Sequence, residues 1–448
     1  MLYKSIFSLL ASGKVDKFNE FSGGYGIIGW SMTKTGLTYK TTIKACYLGF
    51  LVQATVINLT PVLFIPLREQ FSLSFGQLGL LVLINFITQV IVDISFSHAV
   101  DNHGYRPFLT TAHIFVAAGF IFFAISPLFM GNPYTGFVIG TLLFSAGGGL
   151  LELLISPTVN AIPSESKSAS MSLVHSFYAW GQMGVIILTT LFLFVFGRQA
   201  WPVIMILWAI PPAVNAVLFS KVPFGPTVAD EHREGILKHI RNRFFIAAVF
   251  AIAFSGASEL VISQWSSAFM EKVMYIPKAL GDISGMAMFA MMLGVGRLLH
   301  GRYGKHIDLY ILLISGTFIA FLCYITVALS PFDALSLIAC AVCGIAVSLL
   351  WPGTLVLSAE RFPLAGTWLF AFLAAGGDIG ASLGPWAMGV ISDNAIKVPF
   401  IASIAGNLGL NAEQIGMRTG LLFGALFPLF AMFCFLYMKS KNHRVQEL

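Results

Sequence analysis

Ser97-His-Ala-Val-Asp101-Asn-His-Gly104-Tyr105-Arg106-Pro-Phe-Leu109 is a short polar break between two long apolar runs, and Gly301-Arg302-Tyr303-Gly304-Lys305-His306 breaks two more runs 200 residues later. Each flanking run is about 20 residues long, the length of helix that crosses the hydrocarbon core of a bilayer. A polar turn that recurs between such runs points to a membrane protein built from a duplicated set of helices. A second echo supports the duplication: Phe177-Tyr-Ala-Trp-Gly181 and Phe372-Leu-Ala-Ala-Gly376 stand at comparable places in the two halves.

The rest of the chain has the same character. Its 448 residues are 57% hydrophobic and 10% charged, with a mean hydropathy of +0.83, whereas a soluble domain carries about 25% charged residues. Twelve apolar runs can be counted, near 43–66, 76–98, 108–129, 135–160, 168–195, 200–220, 244–270, 280–301, 308–329, 332–358, 365–391 and 417–438. They lack the polar and apolar alternation that marks transmembrane strands. The expected class is an all-α membrane protein with twelve transmembrane helices in two six-helix pseudo-repeats. Its expected organisation is an N-terminal extension over 1–40, a bundle over 41–220, a charged linker over 221–243, a second bundle over 244–440 and a tail over 441–448. Lys4 and the short run Ile6 to Ala11 lack the core length and cleavage site of a signal peptide. Met32, close before the first span, is an alternative start.

Cytoplasmic loops are enriched in Lys and Arg. Of the 26 such residues, 19 fall on the side shared by both termini and the even-numbered loops, six fall opposite, and Arg297 lies inside a span. The six are Arg68, Arg198, Lys272, Lys278, Lys397 and Arg418. Both termini are therefore expected on the cytoplasmic side of a plasma membrane, in a bacterium the inner membrane. The net charge of +6 follows from this bias and calls for no nucleic acid. The five cysteines all fall within apolar runs, and Cys340-x-x-Cys343 reads as packing rather than redox chemistry.

Ser97 to Leu109 resembles the signature between the second and third helices of the major facilitator superfamily, G-x-L-A-D-x-x-G-R-[RK]-x-x-L. Asp101, Gly104, Arg106 and Leu109 match it, while Ser97 and Tyr105 replace a Gly and a basic residue. Within that superfamily the chain resembles the fucose permease and sugar-transporter-like group, through Ser258-Glu259-Leu-Val-Ile-Ser-Gln264-Trp265, Gly296-Arg297-Leu-Leu-His-Gly301 and Gly380-Ala-Ser-Leu-Gly384-Pro385-Trp386. The resemblance implies the major facilitator fold, a sugar or similarly polar substrate, and proton coupling. The fucose permease is understood to use acids in spans one and four, but span one here offers only Gln53 and Asn58.

Polar groups within a bilayer must face protein or water, so their distribution maps a cavity. Spans two, four, seven, eight and eleven carry Asp93, Glu152, Glu259, Arg297 and Asp378, while spans three, six, nine and twelve carry no charge at their centres. An ionised group at the centre of a membrane helix costs roughly 3 kcal/mol or more, so such residues usually serve function. The expected substrate-binding set is Gln53, Asn58, Asn85, Gln89, Tyr178, Gln182, Glu259, Gln264, Trp351 and Asp378. Amides and carboxylates suit the donor and acceptor pattern of sugar hydroxyls, and aromatic faces stack on the ring. Trp180 and Trp265 are further candidates for such faces. Proton coupling is expected at Glu152, Glu259 or His175. Asp93, Asp101, Gly104, Arg106 and Arg297 are expected to gate the path or hold helices near the cytoplasmic side.

Each residue also has a plainer reading. Asp93 and Arg297 suit structural pairing, Asp378 in Gly376-Gly377-Asp378-Ile-Gly380 could serve a close helix crossing, and membrane tryptophans often only pack. Glycines such as 147–149, 181, 184, 294, 296, 380, 384 and 389 have the spacing of tight helix contacts. Pro352 and Pro385 are expected to kink spans ten and eleven. The chain contains no H-E-x-x-H and no G-x-x-x-x-G-K-[ST], so no enzyme, metal, cofactor or ATP-driven mechanism is expected. The expectation is a monomeric secondary transporter whose partners are a small polar substrate, a proton and the lipid bilayer. The alternatives are an exporter of drugs or lipophilic metabolites on the same fold and, further off, a non-transporting membrane sensor or enzyme.

Overall fold

A computed structural model describes residues 37–162, 167–225, 241–303, 307–362 and 367–446. Most of the 1–40 extension and of the 221–243 linker, with residues 304–306 of the second polar turn, lies outside these residues. All regular structure among the described residues is helical. Span one is Tyr39–Val62, span two Phe75–His103, span three Tyr105–Ile125, span four Pro133–Ala161 and span five Lys167–Phe196. Span seven is Arg243–Val273, span nine Leu309–Leu329 and span eleven Thr367–Asn394.

The remaining spans are built in pieces. Span six is Trp201–Leu207 and Ile210–Lys221, span ten Asp333–Val347 and Leu350–Arg361, and span twelve Ala412–Gly424 and Leu426–Gln446. Span one also breaks, after Val62, and continues as Phe64–Phe71. All four breaks share one cause. Pro66, Pro211, Pro352 and Pro428 each follow the break at the position whose missing N–H and bulky ring disrupt the bond to the carbonyl four residues earlier. Pro352 therefore kinks span ten as expected. Pro385 does not break span eleven, which runs on unbroken past it.

Span eight begins with a short helix, Lys278–Gly281, widens into a π-helix over Asp282–Ala287, and finishes as Met288–Tyr303. A helix with no counterpart in the expected set, Pro399–Leu408, leaves the end of span eleven at 80° and exposes Phe400 and Leu408. Eleven helices among the described residues are long and apolar enough to cross a membrane by themselves, and span eleven with this bent tail makes the twelfth crossing.

The two halves meet where span two packs on span eleven and span five on span eight. At the first contact a side chain at Gly389 would strike the Phe75 carbonyl, and one at Gly79 would press on the backbone of Pro385 and Trp386. Within the second half, Gly380 and Gly384 lie against Ala253 and Ala257 of span seven, the close crossing that small residues allow. Gly184 has nothing within 4 Å, so its place in the small-residue pattern serves no helix contact. Gly104 starts span three at φ +74°, a conformation that favours glycine and makes the turn of the quoted motif possible. Arg106 then donates to the Ser220 and Val222 carbonyls at 2.6 and 2.9 Å, tying the motif to the end of span six.

Candidate functional site

The first half of the site is a chain of amides with one allowed direction. The Val56 carbonyl can only accept, so Asn85 must present its Nδ2 to it, at 3.0 Å. Asn85 Oδ1 then accepts from Ser145 Oγ at 2.7 Å and Gln89 Nε2 at 2.9 Å. Gln89 Oε1 in turn accepts from Gln53 Nε2 at 2.7 Å, and the same Nε2 reaches Glu152 at 3.2 Å. Spans one, two and four thus converge on Glu152, and Gln53 Oε1 is left buried without a partner. Four expected site residues, Gln53, Asn85, Gln89 and Glu152, form one connected network.

Two further acids lie within electrostatic reach of Glu152. Asp93 of span two faces it, and Asp378 of span eleven faces both, so acids from the two halves share one region. Asp378 is 3% exposed and its Oδ2 has no hydrogen-bond partner; Asp93 Oδ1 is also buried and unpartnered. Glu259 differs, because it faces Arg297. Tyr178 stands between the two groups, beside Asn58 and within electrostatic reach of Glu259, Glu152 and Arg297. Trp351 lays the edge of its ring on Gly377, one residue before Asp378.

Arg297 does not pair with Asp93. Its Nε donates to the Ser348 carbonyl at 3.2 Å. That carbonyl is the one Pro352 cannot serve, so the proline break in span ten creates the acceptor that fixes the guanidinium. The structural ion pair expected for Asp93 is absent among the described residues. The aromatic candidates also divide. Trp265 is fully buried, donates to the Pro385 carbonyl at 3.1 Å, and packs on Phe64 and Phe75. Trp180 is 39% exposed. Gln182 spans the halves through Ser263 Oγ at 3.0 Å, and both amide atoms of Gln264 are buried without partners. Asn58 holds its own helix by donating to Ala54 O at 3.0 Å. The side chains of Asp101 and His175 lie outside the described set.

The face opposite the termini has a different arrangement, which sequence reasoning missed. Arg68 pairs with Glu413 at 2.5 Å, Lys272 with Glu69 at 2.6 Å, and Arg198 with Glu69 at 2.9 Å and Glu271 at 2.6 Å. Three of these four pairs join the halves. Asp393 at the end of span eleven accepts from the Phe75 and Gly76 amides at 3.1 and 2.6 Å, capping span two across the same seam. Beneath them Lys278 pairs with buried Asp282 at 2.9 Å, and Thr190 of span five donates to the same carboxylate at 2.8 Å. Lys397 and Arg418 bond to Asn394 and to the Ala328 carbonyl. All six cations expected opposite the termini are therefore engaged. Glu69 is on the short Phe64–Phe71 helix, past the membrane-crossing stretch Tyr39–Val62: its burial would raise its pKa, but Lys272 and Arg198 outweigh that and hold it below the ordinary carboxylate range.

A second missed polar group is structural. His113 Nδ1 donates to the Leu109 carbonyl at 2.7 Å, which leaves Nε2 to accept from Asn215 at 2.8 Å, and Asn215 also donates to Ala45 O. This buried knot ties spans one, three and six and touches no acid of the site. A lone histidine in a span without charge was the available signal.

A model of the Major Facilitator Superfamily matches residues 45–385 of the chain. No curated protein matches it significantly. Among solved structures, a bacterial homolog of the human lysosomal transporter Spinster, in an inward-facing and occupied conformation, is similar over 92% of this chain and 98% of its own, at 16% identity and a TM-score of 0.72. A D-xylose–proton symporter is similar over 87% of this chain and 97% of its own, at 16% identity and 0.68. The E. coli fucose:proton symporter is similar over 88% of this chain and 98% of its own, at 16% identity and 0.60. At these identities the likeness is one of fold.

Proposed function

The chain belongs to the Major Facilitator Superfamily, and on that premise we propose that it is a secondary transporter which moves a small, hydroxylated polar metabolite by alternating access, coupled to a proton. The observation that carries the reading is the amide chain from Val56 to Glu152. It holds a carboxyl at the junction of three spans, facing Asp378 of the opposite half. Such a carboxyl senses whether the halves are apart and wet or together and dry, because withdrawal of water favours its neutral form.

Glu152 is the proton carrier in this scheme, and Gln53 positions it. Tyr178, Glu259, Gln264, Trp351 and Asp378 contact the substrate, with Arg297 holding Glu259 in place. The seam opposite the termini is joined by ion pairs and the Asp393 cap, which supports a state open toward the side of the termini. Motion to the other state requires these pairs to part. The termini and the Arg106 anchor then lie on the cytoplasmic side of a plasma membrane.

The test uses purified protein in liposomes with an imposed pH gradient and a panel of labelled sugars and nucleosides. Glu152→Gln is expected to abolish gradient-driven accumulation while leaving exchange of substrate between the two sides. Undiminished accumulation by a variant of normal abundance would sink the coupling role. Stabilisation of the protein only by lipophilic amphiphiles would favour an exporter of such compounds instead.

A further inference from the structure

The charges at the site do not balance. Asp93, Glu152 and Asp378 lie within electrostatic reach of one another, and among the described residues none of the three is in a salt bridge. Arg297 of span eight is within electrostatic reach of Glu259 and is fixed on Ser348. One coupling proton on Glu152 would still leave two carboxyls without a counter-charge. Isolated buried charge is too costly to persist in a low-dielectric site without a partner.

The hydrogen-bond inventory leans the same way. The direction of the amide chain leaves Gln53 with its carbonyl oxygen free and its Nε2 consumed, in a side chain 3% exposed that touches Glu152. Asp93 Oδ1 and Asp378 Oδ2 are likewise buried and unpartnered. The amide orientation follows from the Val56 carbonyl at the far end, which accepts and cannot donate. The vacant positions around Glu152 are thus acceptors, a set that a neutral sugar, whose hydroxyls each bring two acceptor lone pairs with one donor, matches poorly.

We propose that the substrate is a small hydroxylated amine, carried as its ammonium, whose N–H groups are received by Asp93, Asp378 and Gln53 Oε1 beside Glu152. An ammonium offers three donors and no acceptor, and its charge balances one of the two remaining carboxyls. Its hydroxyls would meet Gln264, whose amide has both a donor and an acceptor free. The proposal rests on the transport reading above and narrows its substrate class.

The test pairs each cation with a neutral twin. Full-length protein in nanodiscs is titrated with amino sugars, amino alcohols and amino nucleosides, each beside its N-acetylated form, with thermal stability and binding as readouts. The amines are expected to stabilise the protein and the N-acetyl forms to leave it unchanged. Asp378→Asn, near-isosteric, is expected to weaken amine binding by roughly tenfold or more, the scale of a lost charge-assisted hydrogen bond. Asp93→Asn is the second variant should Asp378→Asn not fold. The proposal is overturned if neutral forms bind as well as amines, if sodium ions alone give the stabilisation, or if no amine binds. A neutral sugar that binds and accumulates under a pH gradient overturns the charge assignment and leaves the transport reading standing. If nothing accumulates under any gradient, the transport reading falls with it.

Discussion

The seam opposite the termini and the acid cluster beneath it treat charge in opposite ways. At the seam four carboxylates have cations, Glu413 with Arg68, Glu69 with Lys272 and Arg198, Glu271 with Arg198, and Asp282 with Lys278, while Asp393 is satisfied by the Phe75 and Gly76 amides. At the cluster, Asp93, Glu152 and Asp378 lie within electrostatic reach of one another, without a salt bridge among the described residues. Both regions draw residues from both halves. A paired set holds two bodies in one arrangement, whereas an unpaired set leaves charge uncompensated. On the readings proposed above, the difference separates the part of the molecule that stabilises a state from the part that binds.

The sharpest way to break the comparison is to make the seam resemble the cluster. Asp282→Asn leaves Lys278 charged and buried, and loss of one partner of a buried pair costs about 3–5 kcal/mol. Thermal unfolding in detergent should show a large drop in midpoint, partly restored when Lys278→Met is added. A midpoint unchanged by the single substitution would mean the pair is not needed.

The backbone contact beside those pairs comes next. Gly389→Val drives a side chain into the Phe75 carbonyl, and overpacking of this kind costs about 1–3 kcal/mol. The loss should appear as a lower unfolding midpoint and as greater labelling of cysteines placed at the seam. The surface pairs themselves should matter least. Glu69→Gln removes two partly exposed pairs worth roughly 0.2–1 kcal/mol each, so overall stability should hardly move. The population with a parted seam, followed by a distance probe between loops, should rise.

The pH dependence of that last effect has a definite sign. Because the folded protein holds Glu69 below its ordinary pKa, its contribution is complete at neutral pH and is lost only as pH falls below the ordinary carboxylate value of about 4.3 toward the depressed one. A seam that parts between pH 8 and 6 would be controlled by some other group. The cluster, by contrast, should respond to ligand charge and leave the seam-pair variants unaffected in binding.

Much of this was legible before any coordinates. The spans were readable because about 20 apolar residues in a row have few places to go but a bilayer, and the acids stood out because carboxylates are costly there. The site residues Gln53, Asn85, Gln89 and Glu152 could be named, but not their order in one directed chain. The seam was not legible: Glu69 and Lys272 are 203 residues apart, and each looks like an ordinary loop charge. Asp282 and Asp393 drew no notice because each sits at a span end, where acids are unremarkable in sequence. The proline breaks were readable in principle, since each falls four residues before its proline, but that Arg297 would take the carbonyl freed by Pro352 depends on two spans meeting.

The sequence by itself determined the class, the crossings, the duplicated plan and the identity of the intramembrane acids, because these follow from hydropathy and length along one chain. Only the tertiary structure decided which acids have partners. Pairing is a matter of distance between helices, and in this molecule it gave the seam its cations, set Glu259 within electrostatic reach of Arg297, and left Asp93, Glu152 and Asp378 without a salt bridge among the described residues.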